Sequence, residues 1–155
     1  MFATLSEAIA AAPPPRCMRA VIAVPDGTRP IDVAGALLAL KPYFPDALVV
    51  IGLGLHRPME TNELPASPFP VVQHDPDDVV PTAVCDRVPG WVSRHVREGD
   101  LVVGLGIVEL HQYAGFSGGH KAVAVGLGGR ETIDALHHRD RGVPDQAPNV
   151  SVRSR

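Results

Sequence analysis

The chain has 155 residues, 45% of them hydrophobic and only 5% aromatic, with a formal net charge of -3. That length excludes a large multidomain enzyme, and the composition supplies one mostly aliphatic core. The charge excludes a broad basic surface for nucleic acid.

In chain order, Thr4-Leu-Ser-Glu7 fits a capping box, and Glu7 to Ala12 reads as a short helix stopped by Pro13-Pro14-Pro15. Ala20 to Val24 is a short β-branched apolar run, read as a buried strand. A turn over Pro25-Asp26-Gly27-Thr28-Arg29-Pro30 leads to a helix from Ile31 to Leu40, and Ala47 to Ile51 is a second buried strand. This strand-helix-strand unit predicts a parallel pair with a right-handed crossover. A loop runs to Pro70, followed by a short strand at Val71-Val72 and an acidic segment from His74 to Asp78, read as an exposed turn rather than a metal site. Trp91 to Val96 fits strand or helix, with Trp91 expected in the core. Leu101 to Leu105 is a further buried strand, Gly115 to Gly129 reads as glycine-rich chain, and Arg130 to His138 as a helix. Residues 1–140 are expected to form the domain, with 141–155 a loose polar tail. Strands apolar throughout, rather than alternating, indicate a sheet covered on both faces. The expected fold is α/β, Rossmann-like, a mainly parallel sheet with flanking helices and a ligand crevice at the strand carboxyl ends.

Cys17 and Cys85 form no CxxC or zinc-ligand spacing and are expected to be reduced and partly buried. No apolar run reaches membrane-spanning length, and the N-terminus lacks a signal-peptide pattern, so a cytoplasmic location is expected.

One internal parallel stands out. Val49-Val-Ile-Gly-Leu-Gly-Leu-His56 is echoed by Leu101-Val-Val-Gly-Leu-Gly-Ile-Val-Glu-Leu-His111. Ligands of open parallel sheets bind beyond the strand carboxyl ends, which would bring Asp26, Arg29, His56 and His111 into one crevice. Neither Gly-Leu-Gly completes a GxGxxG fingerprint, and Gly115-Phe-Ser-Gly-Gly-His-Lys121 is no Walker A, since Ala122 stands where a hydroxyl is required. Lys121 is one of only two lysines and follows a flexible Ser117-Gly118-Gly119 turn, whose small residues let backbone N–H groups approach an anion. It reads as a phosphate-pairing charge, a reactive amine, or a plain surface lysine. Arg29 suits a carboxylate or phosphate, or is simply exposed. His137 shares a helix face with Ile133, as a core residue or a ligand. His95, His120 and His138 are expected on polar faces.

Taken together, Asp26-Gly-Thr-Arg-Pro30, Gly54-Leu-His-Arg-Pro58, His74-Asp75, His111-x-x-Ala-Gly-Phe-Ser-Gly-Gly-x-Lys121 and Gly129-Arg-Glu-Thr-Ile133 with His137 resemble the nickel-dependent lactate racemase family. The resemblance is to its N-terminal, cofactor-binding domain and covers about residues 5–138. It implies a nickel pincer nucleotide attached through Lys121, with His137 as the protein ligand to nickel. It implies contacts to the nucleotide from Asp26, Gly27, Thr28 and Arg29, with Arg29 also pairing the carboxylate of a 2-hydroxy acid. His56 and His111 would be the two acid/base residues of a racemase. The family also carries a C-terminal domain that closes over the substrate. A separate chain or a second copy is therefore expected to complete the site, unless the chain is a non-catalytic carrier of the cofactor.

Overall fold

The apolar run at Ala20 and the two Gly-Leu-Gly runs each carry enough β-branched bulk to build a strand, and all three do so, the first two as buried central strands and the third as a half-buried edge strand. The computed structural model describes residues 4–15, 19–82, 90–111 and 115–138, with the backbone alone for 137 and 138. Four parallel strands form the main sheet: β1 (Ala20–Pro25), β2 (Leu48–Gly52), β3 (Val71–Gln73) and β6 (Leu101–Gly104). Their order is β3-β2-β1-β6, with Ile22 opposite Val49 and Val103.

Helix α1 (Leu5–Ala11) opens on the capping box: Glu7 N–H donates to Thr4 Oγ1, and Thr4 N–H donates to the Glu7 carboxylate. Helix α2 (Val33–Leu40) starts two residues later than the sequence predicts. Asp32 takes the N-cap there, its carboxylate accepting the Gly35 N–H at 2.9 Å. Side chains on β1 alternate between two clusters. Ile22 and Val24 meet Leu37, Leu40, Phe44, Val49 and Ile51 on one face. Val21 and Ala23 meet Val50 and Leu127 on the other. Both faces of β1 are therefore covered, and each fully buried aliphatic side chain contributes about 1.5–3 kcal/mol. This is the expected α/β architecture.

The peripheral elements are less regular than predicted. Trp91–Ser93 resolves as strand β5, antiparallel to β4 (Val79–Pro81). Trp91 is half-buried rather than core, and its indole N–H donates to Glu131 at 3.0 Å. The glycine-rich stretch is not open chain. Strand β7 (Leu110–His111) pairs antiparallel with β8 (Gly115–Phe116), helix α3 (Gly119–Ala124) packs on β6 and β1, and α4 (Arg130–His138) follows. The acidic turn exposes Asp77, but His74 is buried, with Nε2 2.8 Å from the Gly128 carbonyl oxygen. That contact pins the end of β3 to the chain entering α4. Burial holds the His74 imidazole below its ordinary pKa, favouring the neutral ring. His120 is exposed and His95 half-buried. Cys17, Cys85, the His138 side chain and the tail lie outside the described residues. Among the described residues no helix is long and apolar enough to cross a membrane.

From β1 the chain winds outward through β2 to β3 and then returns to the other side of β1 as β6. The reversal between β1 and β6 is a topological switch point, where loops leave in opposite directions and open a crevice.

Candidate functional site

The loops after β1, β2 and β6 and the start of α3 enclose a cleft of about 260 Å³. Asp26, Thr28, Arg29, His56, His111 and Lys121 all line it. Six of the eight predicted site residues thus share one cleft. Gly27 is exposed and does not line it. His137 lies on α4, with its side chain outside the described part.

Asp26 is the most enclosed of these six residues, 9% exposed. The Thr28 hydroxyl and N–H donate to its Oδ1 at 2.5 and 3.2 Å. Its Oδ2 lies 2.6 Å from Nδ1 of His56, whose side chain is mostly exposed. Burial pushes the carboxyl up, but the hydrogen bonds from Thr28 and His56 outweigh it, and Asp26 is held below the usual carboxylate range. An ionised carboxylate only accepts, so the proton between them sits on His56 Nδ1 and the lone pair of a neutral ring on Nε2. Asp26 therefore sets both the tautomer and the orientation of His56.

Lys121 sits on α3, not in a flexible turn. Burial pushes its amine below the ordinary lysine pKa, and the nearby Arg29 charge pushes it further, while Asp26 works against both. The net result favours the neutral, nucleophilic form more than a solvated lysine would. The other lysine, Lys41, donates to the carbonyl oxygens of Pro45 and Pro68 and stands over the Phe69 ring.

The turn expected at Ser117-Gly118-Gly119 is not flexible but is tied to the chain leaving β6 and caps α3. Ser117 is buried, and its hydroxyl donates to the Ile107 carbonyl oxygen at 2.7 Å and accepts the Glu109 N–H at 3.0 Å. Its own N–H donates to the Glu109 carbonyl oxygen at 2.8 Å. Ser117 is thus a clamp on the chain leaving β6. Gly118, the N-cap of α3, has φ +128°, a left-handed conformation that favours glycine.

The Gly-Leu-Gly repeats have a packing role that the sequence alone did not reveal. A Cβ on Gly104 would lie 2.3 Å from the Gly119 carbonyl oxygen, and one on Gly52 would lie 3.0 Å from the Gly126 Cα. These glycines let α3 and the chain after it press backbone to backbone onto the sheet, which carries Lys121 to the strand ends. Glu109 was also missed. Its Oε2 lies 3.5 Å from Nη1 of Arg29, which lines the cleft. No local signal marks such a pair, because its members are separated by eighty residues of chain.

Among the described residues no group of three or more His, Cys, Asp or Glu side chains is placed to hold a metal ion. His56 also borders a second hollow of about 360 Å³, beside His74 and Arg130.

A parallel sheet with a polar cleft at its switch point, containing a carboxylate-oriented histidine and a depressed lysine, defines a small-ligand α/β domain. Residues 4–147 match the family model of the lactate racemase N-terminal domain, and the chain belongs to that family. It is 31% identical over 134 residues to the lactate racemase of Lactiplantibacillus plantarum, covering 76% of this chain and 32% of that protein. It is similar in fold to the lactate racemase apoprotein from Thermoanaerobacterium thermosaccharolyticum, with a TM-score of 0.65, 23% identity, and coverage of 76% of this chain and 32% of that one. A Thermotoga maritima protein matches with a TM-score of 0.61 at 18% identity, covering 85% of this chain and 39% of that one. The chain thus spans about a third of the length of its curated relative.

Proposed function

We propose that this chain is the cofactor-binding part of a lactate-racemase-like isomerase that interconverts the enantiomers of a small 2-hydroxy acid. The observation that carries the reading is the meeting of the Asp26–His56 pair and the depressed Lys121 amine in one cleft.

A nickel pincer nucleotide suits the residues present. The cleft offers a partly buried amine held below the ordinary lysine pKa, beside a lining in which Gly54, Gly106 and Gly118 project no side chain. Lys121 would hold the nucleotide covalently, the Asp26-Gly27-Thr28-Arg29 loop would contact it, and His137 would supply the protein ligand to its nickel. When bound, it would supply a hydride acceptor and donor for C2 of the substrate.

The protein's own part is proton handling and orientation. Arg29 pairs the substrate carboxylate and fixes C2 relative to the histidines. Nε2 of His56 takes the hydroxyl proton from one enantiomer, while Asp26 stabilises the imidazolium that forms. His111 serves the opposite enantiomer, because racemisation needs an acid/base group for each hand of the substrate. Imidazole suits both directions, with an unperturbed pKa of about 6.5.

These residues span about a third of the racemase's length, and a second reading applies to them acting alone. In that reading they form a carrier of the nucleotide, or a half-site that a separate chain or a second copy completes. The test is to co-produce the chain with cofactor-making enzymes, then measure its intact mass and nickel content. An adduct on Lys121 with bound nickel is expected, and neither is expected in Lys121→Ala. Absence of both from the wild-type chain overturns the cofactor reading. Chiral assay of D- and L-lactate on the loaded chain then separates enzyme from carrier.

A further inference from the structure

We infer that Glu109 is a specificity-determining residue: it holds the Arg29 guanidinium with its own carboxylate and selects 2-hydroxy acids with one carboxyl group over those with two. This rests on the reading of Arg29 as the partner of the substrate carboxylate.

Three observations support it. First, Glu109 and Arg29 approach each other from the loops after β6 and β1 at 3.5 Å, with Arg29 lining the cleft and Glu109 just outside its lining. That exceeds the 2.7–2.9 Å of a strong charge-assisted hydrogen bond, and both side chains are about two-fifths exposed, so the contact is exchangeable. Second, the contact is nevertheless maintained by the fold. The buried Ser117 bonds both the N–H and the carbonyl oxygen of Glu109, so the backbone that carries this side chain is held beside Arg29. Third, the charges are balanced. Arg29 is close enough to Lys121 to depress its amine, and Asp26 and Glu109 supply the compensating negative charge around the two cations.

A ligand carboxylate arriving at Arg29 therefore meets an intramolecular competitor. A monocarboxylate exchanges one carboxylate for another on the guanidinium. A dicarboxylate brings a second negative charge beside the displaced Glu109, which remains tethered nearby, and like charges at short range repel. The discrimination is built from repulsion as much as from attraction.

The test uses the full chain without cofactor, labelled with ¹³C at lysine. The chain contains only Lys41 and Lys121, so the Lys121 resonance reports the cleft and Lys41 reports the fold. Wild type, Glu109→Gln and Arg29→Gln are each titrated with L-lactate and L-malate. Arg29→Gln is expected to lose the Lys121 response to both acids. Glu109→Gln is expected to bind lactate about two- to five-fold more tightly than wild type, the scale of an exposed ion pair. Its gain for malate is expected to be larger than its gain for lactate. Unchanged or weaker binding by Glu109→Gln, or equal gains for both acids, overturns the role of Glu109 while leaving that of Arg29 intact. A response that survives in Arg29→Gln, or no response in any variant, overturns both.

Discussion

Replacing Gly104 with alanine would place a methyl group 2.3 Å from the Gly119 carbonyl oxygen, 2.7 Å from its carbonyl carbon and 2.9 Å from its Cα. Ordinary contact between such atoms begins near 3.5 Å, so the first turn of α3 must retreat by about 1 Å. The obstacle is backbone, not the end of a flexible side chain, and no rotamer change relieves it. Overpacking of this kind costs about 1–3 kcal/mol. For a chain of this size that corresponds to about 2–12 °C in Tm. Gly27→Ala is the matched control, because its Cβ would meet only Met59 Cε at 3.5 Å. The assay is a thermal melt of wild type and both variants, with the Lys121 ¹³C resonance recorded at each stage. Gly104→Ala is expected to melt lower and to shift Lys121, because that residue rides on the displaced helix. Equal Tm values for the two variants, with an unmoved Lys121 resonance, would refute the argument that this glycine exists to let α3 approach the sheet.

Three further outcomes are expected. Arg29→Gln should raise the Lys121 pKa toward the usual value of about 10.4, since it removes a repelling charge, and pH titration of the lysine resonance checks this. Asp26 is held below its ordinary pKa when folded, so its ionised form stabilises the fold. That contribution is fully present above the unfolded pKa of about 3.9 and disappears as pH falls through the lower folded value. In urea melts, the stability difference between wild type and Asp26→Asn should therefore shrink as pH drops below about 4. Ser117→Ala strands the Glu109 N–H and removes the donor to Ile107, with an expected loss of about 1–3 kcal/mol in chemical denaturation.

Three of the candidate site residues reached from the sequence share a property: each follows closely on a strand that is itself legible. Asp26, Arg29 and His56 come within a few residues of β1 and β2, so a parallel sheet carries them to a common edge. Lys121 was singled out because it is scarce and glycine-flanked, although the turn expected around it is a helix. Glu109 and Ser117 were not legible, because their roles depend on partners that approach only when the chain folds. The buried position of His74 was likewise hidden, since its neighbours in sequence are acidic and exposed.

The sequence by itself determined the elements governed by local chemistry. These are the Thr4–Glu7 capping box, the β-branched strands, and α2, which breaks before Pro42. It also determined the order of strands and helix that makes a parallel pair. Only the tertiary structure decided that Asp26 orients His56, that Glu109 faces Arg29, and that glycines at 52 and 104 admit α3 to the sheet. The physical reason is range. Capping, propensity and apolar periodicity act over a few residues, whereas hydrogen bonds, ion pairs and backbone contacts across the switch point join segments fifteen to eighty residues apart.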